Sequence, residues 1–210
     1  MANLLPLLSG SHSPRVVTIQ SAGREGPINL SDLENRNTTG PLAGTNQVCS
    51  MICLSMEELA AQYPMVSFIH YSPGAVKSNI TGNLLKSVRG VLYYPAQVLR
   101  VVLLPVVEWL LFTQEGEAGD RVLFLGTSAK YPPAQPTGES RGGWAKVPKG
   151  MEVARATVMR DGKGNGVYRI SRDGESIGEN KALETCREEG LGKLVRENEE
   201  KVWERAIGRS

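Results

Sequence analysis

At 210 residues the chain is long enough for one substantial domain, and 40% apolar residues with a mean hydropathy of −0.22 mark a globular rather than a disordered polypeptide. The 24 Lys and Arg nearly balance 22 Asp and Glu, and the net charge of +2 comes without a basic block, which argues against a nucleic-acid partner. Three cysteines, Cys49, Cys53 and Cys186, lack metal-ligand spacing and read as buried free thiols, so no metal is expected and the setting is expected to be reducing and cytoplasmic.

The opening run Met1–Leu8 is apolar but has no basic flank, so it reads as the tail of a helix rather than a signal sequence. Arg15-Val-Val-Thr-Ile-Gln-Ser21-Ala-Gly23 predicts a buried strand that delivers Ser21 to its carboxyl end. The polar stretch Arg24 to Gly44, with Pro27 and Pro41, predicts a long loop, and long ordered loops usually carry function. From Thr45, a plausible N-cap, Val48, Ile52, Met56 and Leu59 mark a helix that ends before Pro64. This helix, 46–62, is apolar over most of its circumference and is expected to be buried or to face a second copy or partner subunit.

Val66-Ser-Phe-Ile-His70-Tyr71 predicts a second strand, running into Ser72-Pro73-Gly74-Ala75-Val76-Lys77-Ser78. Two strands joined by a helix form a parallel βαβ unit, whose strand-end loops are where ligands bind. The apolar stretch Val88–Phe112 is interrupted by Arg89, Pro95, Arg100, Pro105 and Glu108, far short of the roughly 20 residues of a membrane span, and reads as an amphipathic pocket or interface segment. Gly116–Ser128 predicts a helix with Ala118, Val122 and Leu125 on one face. A Pro- and Gly-rich connection, Tyr131–Gly150, precedes an expected hairpin of Val153–Met159 with Val167–Ile170. Its loop holds Gly162, Gly164 and Gly166, but a strand follows it where a phosphate-binding loop requires a helix, so it reads as a turn. A terminal amphipathic helix follows, with Leu191, Leu194, Val195, Val202 and Ala206 on one face.

Leu4-Leu-Pro-Leu-Leu8, the Ser21 strand, Glu57-Glu-Leu-Ala60, Phe68–Ser78 and Val122-Leu-Phe-Leu-Gly-Thr-Ser128 stand in an order and spacing that resembles the C-terminal half of a short-chain dehydrogenase/reductase, in particular the divergent fungal members of specialised metabolism. The resemblance implies an α/β fold: a partial Rossmann-like parallel sheet with flanking helices, followed by the C-terminal β-hairpin and amphipathic helix. Residues 1–130 would form the distal half of the reductase domain, N-terminally truncated, and residues 131–210 a linker, hairpin and helix packed on it.

By the same resemblance Ser21 donates a hydrogen bond to the substrate carbonyl, where a hydroxyl meets developing negative charge. The other reading of Ser21-Ala-Gly23 is a turn cap. Pro73, Gly74, Val76 and Ser78 match the segment that holds the nicotinamide carboxamide, which implies NADP or NAD, although no glycine-rich phosphate loop is present in this chain. The family's tyrosine acid/base and the lysine four residues on, which lowers the phenol's pKa, have no counterpart. None of the tyrosines at 63, 71, 93, 94, 131 and 168 has a lysine four places later, and the corresponding positions fall on Gly44 and Val48. Tyr71, beside Ser72, is a substitute candidate for the acid, and His70 reads as a core or rim residue. The expected function is an NAD(P)(H)-linked oxidoreductase acting on a small specialised metabolite such as a polyketide or terpenoid. The alternative is an inactive, truncated pseudoenzyme that serves as a binding or partner subunit.

Overall fold

The computed structural model describes residues 4–38, 40–76, 93–98, 101, 112–136, 147, 149–160 and 162–208. In chain order the elements are α1 (Leu5–Ser9), β1 (Arg15–Ile19), α2 (Pro41–Gln62), β2 (Ser67–Tyr71), α3 (Tyr93–Val98), α4 (Glu115–Thr127), β3 (Met159–Arg160), β4 (Lys163–Gly164), β5 (Val167–Ile170), α5 (Lys181–Glu188) and α6 (Leu191–Ala206). They fall into two compact units, Met1–Ser72 with Phe124–Ser210, and Pro73–Leu123.

The larger unit is built on a parallel sheet of three strands in the order β1-β2-β5. All three strands are rich in β-branched and aromatic residues, which pack well on a pleated surface. β2 is buried along its whole length, as a central parallel strand must be, whereas β1 is only half-buried and its Ile19 is 52% exposed. The crossover helix α2 opens with Pro41 in its first turn and closes at Tyr63, immediately before Pro64. One side of α2 meets the sheet in a core of Met56, Leu59, Ala60, Phe68, Val167 and Leu5 of α1. Its other side, through Met51, Cys53 and Leu54, packs against Leu183 and Cys186 of α5 and Leu191 and Val195 of α6. The opposite face of the sheet carries Tyr71, Tyr131 and Tyr168, with Arg15 donating to the Leu125 and Ser128 carbonyls at the end of α4. The fold class is therefore α/β with a partial Rossmann-like parallel sheet, as expected.

Two local expectations are corrected, for Val167–Ile170 and for the terminal helix, and of the two readings of helix 46–62 the buried one is supported. Val167–Ile170 is not the second strand of a hairpin: it joins the central sheet parallel to β2, with Phe68 opposite Val167 and Tyr71 opposite Ile170. The hairpin is confined to β3 and β4, and Gly166 turns the chain into the sheet at a φ of +77°, where an added Cβ would lie 2.7 Å from the Ala134 nitrogen. The apolar circumference of helix 46–62 is accounted for within the chain, because α5 and α6 cover the side turned away from the sheet. Of the five apolar residues expected on one face of the terminal helix, Leu191 and Val195 are buried, while Leu194, Val202 and Ala206 are exposed. The start of α6 is held by apolar packing, and farther along polar bonds take over, from Ser55 Oγ to Glu199 at 2.7 Å and between Arg205 and Glu34.

The smaller unit contains α3, most of α4 and a parallel bridge between Val76 and Thr113. The segment expected over Val88–Phe112 lies largely outside the described residues, as does Ser78. Among the described residues no helix is long and apolar enough to cross a membrane.

Candidate functional site

β1 ends its ladder one residue late, with the Gln20 N–H donating to the Tyr71 carbonyl at 2.9 Å. The chain then turns: the Arg24 N–H closes on the Ser21 carbonyl at 3.1 Å, the Cys49 thiol donates to the same oxygen at 3.3 Å, and Gly23 adopts a φ of +92°. Ser21 is half-buried there, and its hydroxyl makes no hydrogen bond among the described residues.

Beside Gln20 lies a cavity of about 490 Å³ whose walls include Asn35, Thr38, Gly44, Thr45 and Val48. Gly44 and Val48 are the two positions at which the family resemblance would place the tyrosine and lysine. The outer wall is the loop between β1 and α2, and side chains hold it in one shape. Asp32 accepts from the Arg36 and Asn37 N–H groups, both at 2.8 Å, and from the Thr38 hydroxyl at 3.1 Å. These bonds, that of Asn37 first, hold its carboxyl below the usual carboxylate range. Gln47 bridges the loop to α2, donating to the Asp32 carbonyl at 2.8 Å and accepting from the Asn29 N–H at 3.0 Å. Asn35, left-handed at φ +55°, donates to the Gly44 carbonyl at 2.9 Å. The cavity wall is thus made of amides, hydroxyls, backbone and the Val48 side chain. It can hold and orient a neutral polar ligand, but it presents no titratable side chain to move a proton.

The titratable groups sit deeper, in a cluster that composition did not reveal. The Glu25 side chain is fully buried, with Oε2 receiving Arg169 Nη1 at 2.8 Å and Oε1 receiving the Gly23 N–H at 3.0 Å. Arg169 also donates to the Gly178 carbonyl, and Asn180, the N-cap of α5, donates to the Glu25 carbonyl at 3.1 Å. His70 is wholly buried, its Nδ1 3.7 Å from Glu25 Oε1 and neither ring nitrogen hydrogen-bonded. Burial pushes its pKa down to about 4, with Arg169 acting in the same direction and Glu25 opposing, so at neutral pH the ring carries no charge. The cluster ties the loop after Ser21 to β5 and to α5. Its one signal in the sequence is an arginine inside an otherwise apolar strand.

Of the remaining sequence candidates, Tyr71 belongs to the larger unit and Pro73, Gly74 and Val76 to the smaller. Tyr71 is 1% exposed and its hydroxyl has no hydrogen-bond partner. Three residues after Phe68, it points to the face of the sheet away from α2, while the cavity lies on the α2 side. Tyr71 pairs with Ile19 in the ladder and its carbonyl is bonded by Gln20, and neither Tyr71 nor Ser21 is among the residues that line the cavity. Pro73, Gly74 and Val76 belong to the smaller unit, where Gly74 takes a φ of +71° and Thr113 donates to the Ala75 carbonyl at 2.8 Å and the Pro73 carbonyl at 3.4 Å. The three cysteines are buried thiols whose pKa values burial pushes up, and the described residues contain no cluster suited to a metal ion.

The chain is similar over nearly its whole length to fungal oxidoreductases. It is 32% identical to the oxidoreductase AN1596 of Emericella nidulans across 99% of this chain and 58% of that protein. It is 29% identical to the oxidoreductase andH of Emericella variicolor across 96% of this chain and 54% of that protein. It is 27% identical to the NmrA-like family domain-containing oxidoreductase notO of an Aspergillus species, across 91% and 49%. The chain spans about half the length of the curated relatives it matches. No protein-family profile matches it, and no solved structure does.

Proposed function

We propose that this chain forms the distal part of a nicotinamide-dependent oxidoreductase of the short-chain dehydrogenase/reductase type that acts on a small neutral metabolite of fungal specialised metabolism. The observation that supports the reading is the cavity under the first turns of the crossover helix, lined by Gln20, the residue before Ser21 at the carboxyl end of the parallel strand β1. The similarity of 99% of the chain to a fungal oxidoreductase supports it. In this reading the Ser21 hydroxyl donates to the substrate's carbonyl or alcohol oxygen, and Asn35 and Thr38 orient the remainder of the molecule. By the resemblance, Pro73, Gly74 and Val76, with Ser78 outside the described residues, are the positions that would hold the nicotinamide, which supplies or accepts hydride when bound. The described residues contain no glycine loop between a strand and a helix for the diphosphate, so the fit of the cofactor is limited to its nicotinamide end.

Titration of NADPH and NADH against the longest polypeptide that contains this sequence, followed by calorimetry, tests the proposal. Saturable binding of one of them is expected. The absence of saturable binding for both would sink it. The wall composition favours a second reading: with Gly44 and Val48 in place of a tyrosine and a lysine, the same cavity suits a pseudoenzyme that binds a ligand without turning it over. Ser21→Ala separates the two, because it lowers kcat in a catalyst and alters only ligand affinity in a binding protein.

A further inference from the structure

Along the outer edge of β5 the Thr157 N–H donates to the Val167 carbonyl and the Ile177 N–H to the Arg169 carbonyl, both at 2.8 Å. The chain that flanks this edge encloses a cavity of about 670 Å³, which shares no wall residue with the one beside Gln20. One wall is residues 149–155, which form neither helix nor strand and turn through Gly150 at a φ of +89°. Two bonds hold that wall in place: the Ala154 N–H donates to the Lys130 carbonyl at 2.8 Å, and the Arg155 N–H donates to Ser176 Oγ at 2.9 Å. Opposite it, Lys130 is 5% exposed, and its own N–H is fixed on Ser128 Oγ at 3.1 Å. The Lys130 Nζ donates to the Gly174 carbonyl at 3.0 Å and stands 3.5 Å from Glu175 Oε1. An ammonium carries three donors, and a lysine is rarely buried unless it is paired. Here one donor is met at hydrogen-bonding distance, and the carboxylate that approaches is 77% exposed.

The other donors of the cavity are equally uncommitted. Lys149 makes no hydrogen bond or ion pair among the described residues, Arg155 pairs at 2.9 Å with a Glu179 that is itself exposed, and the Ser176 hydroxyl accepts a bond without donating one. The wall therefore gathers Lys130, Lys149, Arg155 and a hydroxyl against two carboxylates, Glu152 and Glu175. We propose that this cavity binds a phosphoryl group, as inorganic phosphate or as a phosphate monoester. Its three acceptor oxygens match donors that arrive from three separate stretches of chain, at Lys130, Lys149 and Ser176, where a planar carboxylate offers only two. Its charge of about −1.5 to −2 near neutral pH exceeds that of Glu175, so the ligand takes over Lys130 and the exposed Glu175 swings into water. A pairing as exposed as that of Glu175 contributes little and does not resist the exchange.

Calorimetric titration of the full chain with inorganic phosphate, phenyl phosphate and acetate, at about pH 7.5 where phosphate is mostly the dianion, tests the site. Saturable binding of at least one of the two phosphates is expected, with none of acetate over the same concentrations, and the stronger phosphate arm tells a free ion from an ester. Lys130→Met keeps the apolar stem and removes the charge, and it weakens phosphate by about tenfold or more. Lys149→Gln changes an exposed side chain, leaves the melting temperature as it was, and weakens phosphate by at least about fivefold. Glu175→Gln removes the competing carboxylate and tightens binding. Lys193→Gln on α6 deletes the same charge at an exposed position away from the cavity and changes nothing. Three results would overturn the proposal: no saturable binding of either phosphate, acetate bound as tightly as phosphate, or an affinity that Lys149→Gln lowers no more than Lys193→Gln does.

Discussion

The cavity beside Gln20 and the cluster around Glu25 are only a few residues apart in sequence, yet they use polarity in opposite ways. The cavity is walled by neutral groups that are tied to one another, whereas the cluster concentrates a carboxylate, a guanidinium and an imidazole where water does not reach. Charge here serves architecture. The Glu25–Arg169 pair fixes the strand-end loop, and that fixed loop gives a neutral pocket its shape. A cavity of this kind can hold a ligand by shape and hydrogen bonding without a titratable group in its wall.

The most disruptive way to break this contrast is Glu25→Ala, which leaves Arg169 buried without its counter-charge. Removing one partner of a buried pair costs about 3–5 kcal/mol, and urea unfolding should show a loss of that size. A double variant, Glu25→Leu with Arg169→Met, should recover most of it, because an apolar pair of similar volume needs no compensation. Equal destabilisation by the double variant would show that the loop depends on the Gly23 and Gly178 hydrogen bonds instead.

Acidification probes the same cluster through His70. The folded-state pKa of about 4 lies below the ordinary imidazole value near 6.5, so the native protein resists a proton that the unfolded chain accepts. The contribution to stability is complete above pH 6.5 and is lost as the pH falls toward 4, at up to about 1.4 kcal/mol per pH unit and at most about 3.5 kcal/mol in all. Glu25 and Arg169 are the charged groups facing the ring. Subtracting the pH profile of His70→Gln from that of the wild type should isolate this slope, and parallel profiles would show that His70 does not titrate in that window.

How much of this was legible in the sequence follows from what each signal depends on. β1, α2 and β2 are written in local apolar patterning and proline punctuation, so their order and even the stop before Pro64 could be read directly. β5 was legible as a strand over Val167–Ile170 but its place beside β2 was not, because the partner that neutralises Arg169, Glu25, lies 144 residues earlier, and only the fold brings them together. The cavity was half-visible. Gly44 and Val48 followed from the family resemblance, while Asp32, Asn35 and Gln47 shape it through long-range bonds that composition does not encode. Tyr71 shows the reverse error, since adjacency in the strand does not reveal which face a side chain takes.

A milder perturbation tests that face. Tyr71→Phe deletes a buried hydroxyl that has no partner, and an unsatisfied buried group of this kind costs about 1–3 kcal/mol. The variant should therefore melt at the wild-type temperature or above it, and the affinity of the cavity for its ligand should not change. A loss of turnover at unchanged stability would instead return Tyr71 to the role of an acid.

The smallest expected change sharpens the cavity itself. Gly44 lies in the second turn of α2, and an added Cβ would approach Asn35 Nδ2 at 3.6 Å, an ordinary contact. Glycine inside a helix costs roughly 0.5–1 kcal/mol relative to alanine, so Gly44→Ala should raise stability by about that amount. It also places a methyl group on the cavity wall, where a ligand seated against α2 would have to move. Stability and affinity should then move in opposite directions, with a higher melting temperature and weaker ligand binding in the same variant. A glycine kept at 44 for the chain's own packing would leave affinity untouched, whereas one kept for the occupant of the cavity gives up stability to make room for it.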